Sequence, residues 1–107
     1  MQRLQHIYEM LKSEPNDSFL NYALALEYGK MNNIQKAIEI IEELLARDED
    51  YLGAYYQLGK FYELIEQRQT AIEKYTKGLV VARKQNNKRT LRELKEAILM
   101  LEEDTSL

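Results

Sequence analysis

Apolar positions between Leu24 and Leu79 recur in a pattern that repeats once. Leu24, Ala25 and Tyr28 lie one helical turn apart on one face. Met31-Asn32-Asn33 then breaks the periodicity. Beyond the break, Ala37, Ile38, Ile41, Leu44 and Leu45 recur at i, i+1, i+4, i+7 and i+8, a stripe wide enough to bury. Leu58, Gly59 and Tyr62, followed by Ala71, Ile72, Tyr75 and Leu79, repeat the pattern. An offset of 34 residues pairs Leu24 with Leu58, Ala25 with Gly59, Tyr28 with Tyr62, Ala37 with Ala71, Ile38 with Ile72, Ile41 with Tyr75 and Leu45 with Leu79, without a gap. Each paired site is apolar or small in both copies. The paired small sites, Ala25/Gly59 and Ala37/Ala71, predict close crossings between the two helices of a hairpin.

The register extends both ways. Counting back from Glu49 lands on Pro15, and Leu4, Ile7 and Leu11 then fall over Ile38, Ile41 and Leu45. Residues 1–14 thus read as the second helix of a repeat whose first helix is missing. Arg3 takes the small site, as expected if no helix packs there. Downstream, Asn86-Asn87 breaks the chain, and Leu91, Leu94, Ile98 and Leu101 form a stripe on an amphipathic last helix. That helix starts either at a Thr90-x-x-Glu93 capping box or nearer Asn87. Asp17 and Asp50 are placed to cap the helices that follow them. The expectation is an all-α chain of six helices, roughly 2–13, 18–31, 34–47, 52–65, 68–84 and 88–103.

The second copy reads Tyr55-x2-Leu58-Gly59-x2-Tyr62 and then Ala71-x3-Tyr75; the first reads Asn21-x2-Leu24-Ala25-x2-Tyr28 and then Ala37-x3-Ile41. A helix-turn-helix unit of this length and pattern resembles the tetratricopeptide repeat. The chain departs from the family pattern in having no Trp and in carrying Glu49 and Arg83 where Pro often ends a unit. The resemblance implies antiparallel hairpins in a right-handed superhelix. It makes 1–107 one domain, with the second helix of a partial repeat in 1–15, repeats in 18–51 and 52–85, and a capping helix with a tail in 86–107. It also implies a non-catalytic protein- or peptide-binding scaffold whose groove is lined by the first helix of each unit. On those helices a second stripe runs Tyr22, Leu26, Lys30, with Tyr56, Lys60, Leu64 as its equivalent. Phe19, Ala23 and Gln57 flank it. The hairpin core does not require Tyr22 and Tyr56, and aromatic rings supply contact area at low entropic cost. The alternative is that the last helix folds over part of this face and packs on the rings. Some members of the family hold a partner's C-terminal carboxylate with Lys and Asn; Tyr22 and Leu26 occupy those places, which argues against that mode.

Composition narrows the chemistry. The 107 residues include 31% charged residues of both signs and a net charge of −3, which argues against nucleic acid as the main partner. Without cysteine, disulfides, thiolate metal sites and cysteine nucleophiles are excluded. His6, the one histidine, sits beside Ile7 on a helix rim and reads as solvated. Glu42-Glu43 and Asp48-Glu49-Asp50 lack the spacing of a calcium loop and read as a helix face and a cap. No catalytic, cofactor or metal motif is present, so no enzyme, cofactor or metal is expected. Arg83, Lys84, Lys88, Arg89, Arg92 and Lys95 form a basic cluster, read as a solvated helix end in preference to an anion site. The first residues show no signal-peptide apolar run and no stretch suits a bilayer, so a complete gene product is expected in the cytoplasm. Self-association through the apolar area left open at residues 1–14, or through the groove, is the alternative to a foreign partner.

Overall fold

The computed structural model describes residues 2–105. Its helices are α1 (Gln2–Ser13), α2 (Ser18–Lys30), α3 (Ile34–Arg47), α4 (Leu52–Leu64), α5 (Arg68–Lys84) and α6 (Lys88–Thr105). There is no strand among the described residues. Of the expected tail, 104–107, the first two residues continue α6, and Ser106 and Leu107 lie outside the described residues. The chain divides into two compact units between Tyr51 and Leu52, where the second repeat begins.

Three of the links use one device. Asn32, Glu66 and Asn86 have φ of 62°, 61° and 57°, the left-handed region. Each stands just past a helix and lets the next residue donate back into it: Asn33 N–H to the Tyr28 carbonyl, Gln67 N–H to Tyr62, and Asn87 N–H to Ala82, all at 2.9 Å. These are Schellman closures, which satisfy carbonyls that a helix end leaves open. They also end α2 and α4 one residue earlier than the periodicity predicts. Helix starts are capped by Asp17, whose Oδ1 accepts from Leu20 N–H at 2.8 Å, by Asn33 on Lys36 N–H, and by Asn87 on Thr90 N–H at 3.0 Å. Thr90 is therefore inside α6, and Asn87 is its cap. Tyr51, not Asp50, immediately precedes α4.

In the first unit, α2 packs against both α1 and α3. Leu24, Ala25, Ala37, Ile38, Ile41 and Leu44 are buried. Of α1, only Ile7 is buried. Arg3 is exposed, and its Nε pairs with Glu27 of α2 at 2.8 Å. In the second unit α5 packs against both α4 and α6. Tyr55, Leu58, Phe61, Ala71, Tyr75, Ala82 and Leu94 form its core. Three positions differ from the expected core, one of them in the second copy alone, where Ile72 is half-buried although Ile38 is buried. Tyr28 and Tyr62 are only half-buried, the Tyr28 hydroxyl being hydrogen-bonded to that of Tyr8 at 2.6 Å. Leu45 and Leu79 are also half-buried, whereas the preceding pair, Leu44 and Gly78, is buried.

Candidate functional site

The face predicted to bind a partner comprises residues of α2 in the first unit and of α4 in the second, and each is described within its own unit. On α2, Tyr22, Leu26 and Ala23 are half-buried, Lys30 is exposed, and Phe19 is 66% exposed. Tyr22 is not free: its ring stacks on that of Tyr51, centroids 5.4 Å apart and planes 28° apart. Burial pushes the Tyr22 hydroxyl pKa upward. Tyr51 is also raised, by burial first and then by the neighbouring Tyr22, Asp17 and Asp48. Asp48 in turn accepts a hydrogen bond from Ser18 Oγ at 2.6 Å, which ties the start of α2 to the end of α3. Lys30 Nζ lies 3.3 Å from Glu27 Oε2 on its own helix. Next to this face, Phe19 and Leu20 join Met10, Ser13, Glu14 and Asp17 around a cavity of about 450 Å³.

On α4, Tyr56, Gln57 and Lys60 are half-buried, and Leu64 is 65% exposed. The Tyr56 ring leans on Tyr75, centroids 5.9 Å apart. Lys60 Nζ stands 5.3 Å from the centre of the Tyr56 ring and 3.9 Å from Glu63 Oε2. The Tyr75 hydroxyl donates to the same Glu63 carboxylate. Burial, then the bond to Glu63 and its charge, drive the Tyr75 pKa far above the usual tyrosine value.

The sequence left open whether α6 covers this face and did not single out which of its residues would; in the structure they form one wall of it. Glu93, Glu96, Ala97 and Met100 line a cavity of about 210 Å³ together with Tyr56 and Lys60. A second cavity, about 430 Å³, is bounded by Glu63, Glu66, Arg68 and Leu101. The last helix thus stands beside the predicted α4 stripe and leaves it open. The signal was present in the chain. Setting α6 over α4 at an offset of 36 residues puts Leu94 over Leu58, Ile98 over Tyr62 and Met100 over Leu64.

His6 is exposed, as expected. Among the described residues no group of His, Cys, Asp and Glu is arranged to hold a metal ion, and no helix is long and apolar enough to cross a membrane.

No protein-family model matches the chain. It is 43% identical to a tetratricopeptide repeat domain protein from Salinibacter ruber whose solution structure covers 83% of this chain, with 90% of that chain covered and a TM-score of 0.80. A TPR repeat-containing protein of Methanocaldococcus jannaschii is 29% identical over 84 residues, 78% of this chain. The chain spans 26% of that relative's length. The TPR2B domain of yeast Sti1, solved as a complex with pHsp70, is 18% identical and shares the fold, with a TM-score of 0.86 over 94% of this chain and 81% of that one.

Proposed function

Given that the chain belongs to the tetratricopeptide repeat family, we propose that it is a non-catalytic scaffold that binds a protein or peptide segment on the second stripe of its first helices. The partner-binding residues in this reading are Phe19, Tyr22, Leu26 and Lys30 on α2, and Tyr56, Gln57, Lys60 and Leu64 on α4. The observation that carries the reading is the open cleft at Tyr56 and Lys60, walled by α6 but not filled by it. A half-buried aromatic ring beside a charged group and an exposed leucine is the mixture that interface centres favour. The yeast domain of the same fold, solved with pHsp70, supports the idea that this architecture holds a protein segment. The test is capture of binding partners on the immobilised chain, with chemical-shift mapping of each. The reading stands if shifts centre on the named residues of α2 and α4. It falls if they centre on the outer faces of α3 and α5.

One observation favours a second reading, self-association. Met10 is 50% exposed, whereas Leu44, its register equivalent in the complete repeat, is 1% exposed. The half-exposed face of α1 is thus the one that a first helix covers elsewhere, and open apolar area often marks an interface. Sedimentation over a wide concentration range separates the two readings, since a monomer at every concentration removes self-association.

A further inference from the structure

The cleft of the second unit carries a charge imbalance that restricts what fits it. Its lining cation, Lys60, is already engaged, over the Tyr56 ring at 5.3 Å and near Glu63 at 3.9 Å. Glu93 and Glu96 line the same cavity from α6. Glu93 has Arg89 at 3.5 Å, but that arginine side chain is 84% exposed and the pair is open to water and salt. The lining of the cleft thus holds two glutamates against one lysine, and that lysine also has Glu63 of its own helix beside it. Apolar contact area flanks these charges: Met100 is 67% exposed and Leu64 65%.

We infer that this cleft takes a segment in which a lysine or arginine stands within one or two residues of large apolar side chains. The inference rests on the binding role proposed for α4. The cation would meet Glu93 and Glu96, and the apolar side chains would cover Met100 and Leu64. Like charge works against the opposite class. An acidic segment or a terminal carboxylate entering here would bring another negative charge into a half-enclosed cleft, where repulsion is less screened than in bulk water. Charge complementarity of this kind sets partner choice more than raw affinity.

The test is a selection of random twelve-residue peptides displayed on phage against the whole chain. It is followed by fluorescence anisotropy and chemical-shift mapping with the selected peptides made synthetically. Selected sequences should carry net positive charge with Lys or Arg beside Leu, Ile, Met or Phe, and their shifts should fall on Tyr56, Glu96 and Met100. Glu96→Lys should weaken a selected peptide by on the order of tenfold at low salt, and less as salt rises. Glu73→Lys, the same charge change at an exposed site on α5, should alter it less than about twofold. Enrichment of acidic or neutral peptides that still map to Tyr56 and Met100 overturns the charge inference and leaves the α4 site standing. Basic peptides that map elsewhere, with Glu96→Lys and Glu73→Lys alike, overturn both, as does a selection with no enrichment over a bare surface.

Discussion

Gly59 and Tyr75 fit together with no room for one more carbon: a Cβ built on Gly59 would lie 2.1 Å from Tyr75 Cε1. Tyr75 is fully buried, so its ring has nowhere to move. The first repeat solves the same crossing with the opposite choice, Ala25 and Ile41, both fully buried. Gly59→Ala gains about 1 kcal/mol in helix propensity but should still destabilise the protein by about 2 kcal/mol through overpacking. Pairing it with Tyr75→Ile, as the first repeat does, should recover about 1–2 kcal/mol in a double-mutant cycle read by urea denaturation. Additive single effects would mean that the two residues do not share the crossing. Ala71→Leu, also at a fully buried small site, should cost about 1–3 kcal/mol on its own.

Glu66 occupies a conformation that suits it poorly. Its φ of 61° lies in the region that Asn32 and Asn86 occupy at the equivalent helix ends. A β-carbon there costs about 1 kcal/mol or more, which glycine avoids and asparagine partly offsets. Glu66→Gly should therefore raise stability by about 1 kcal/mol and Glu66→Asn by less. Glu66→Gln removes the charge without relieving the backbone and should leave the denaturation midpoint unchanged. A stabilising Gln with a neutral Gly would assign the effect to charge.

Much of this fold was legible because one register governs it. The 34-residue offset places Leu24 and Leu58, Ala25 and Gly59, and Ala37 and Ala71 correctly, and all six are buried. The asparagines at 32 and 86 mark two of the three Schellman turns, and the third hides behind a glutamate. The α6 wall of the cleft was less legible for a physical reason. Helix α5 has three more residues than α3, and the link after it is one residue shorter. The following helix is therefore displaced by two residues, and Glu96 and Met100 fall out of the register that finds Tyr56 and Leu64. The stacking of Tyr22 on Tyr51 was not legible either. Tyr51 lies in a link, where side-chain direction follows from turn geometry and no helical period reports it.

Alkaline pH should unfold the protein through Tyr75. Its hydroxyl pKa is raised in the folded state by burial and by Glu63. The unfolded chain releases that proton near pH 10 and the folded chain does not. The stabilisation from the protonated phenol is thus fully present below about pH 10 and is lost as pH rises beyond it, by up to about 1.4 kcal/mol per pH unit for one group. Tyr22 and Tyr51 shift in the same direction and should steepen the loss. Tyr75→Phe should flatten the stability–pH curve above pH 10. An unchanged slope would assign the transition to other groups.

The last helix is held on by Leu94, which is fully buried and stands near Gly78 of α5. Leu94→Ala should cost about 2–5 kcal/mol. Removal of residues 88–107 should be worse, since it opens Val81 and Ala82 on α5 to water, and a terminal repeat needs a polar outer face to stay soluble. Light scattering of the truncated chain checks this. A soluble monomer of unchanged stability would show that α6 is dispensable for the fold.

The two tyrosines of the proposed binding face should separate stability from binding. Tyr22 is stacked on Tyr51, so Tyr22→Ala removes an internal ring pair and should lower stability by about 1 kcal/mol whether or not a partner is present. Tyr56 leans on Tyr75 but keeps one side toward the open cleft with Lys60. Tyr56→Ala should weaken a bound segment by about 1–2 kcal/mol, the loss expected of an aromatic anchor near an interface centre, with a smaller effect on the free protein. Lys60→Ala should act mainly through charge, in either direction according to the partner, with an effect that fades as salt rises. Glu73→Ala on the exposed face of α5 should change neither quantity. Titration calorimetry with a captured partner, beside urea denaturation of the free variants, gives both numbers for each substitution. If Tyr56→Ala costs several kcal/mol of stability, its ring serves the core of the second unit and the binding role passes to Leu64 and Met100. If it changes neither stability nor affinity, the face on α4 is not where partners bind.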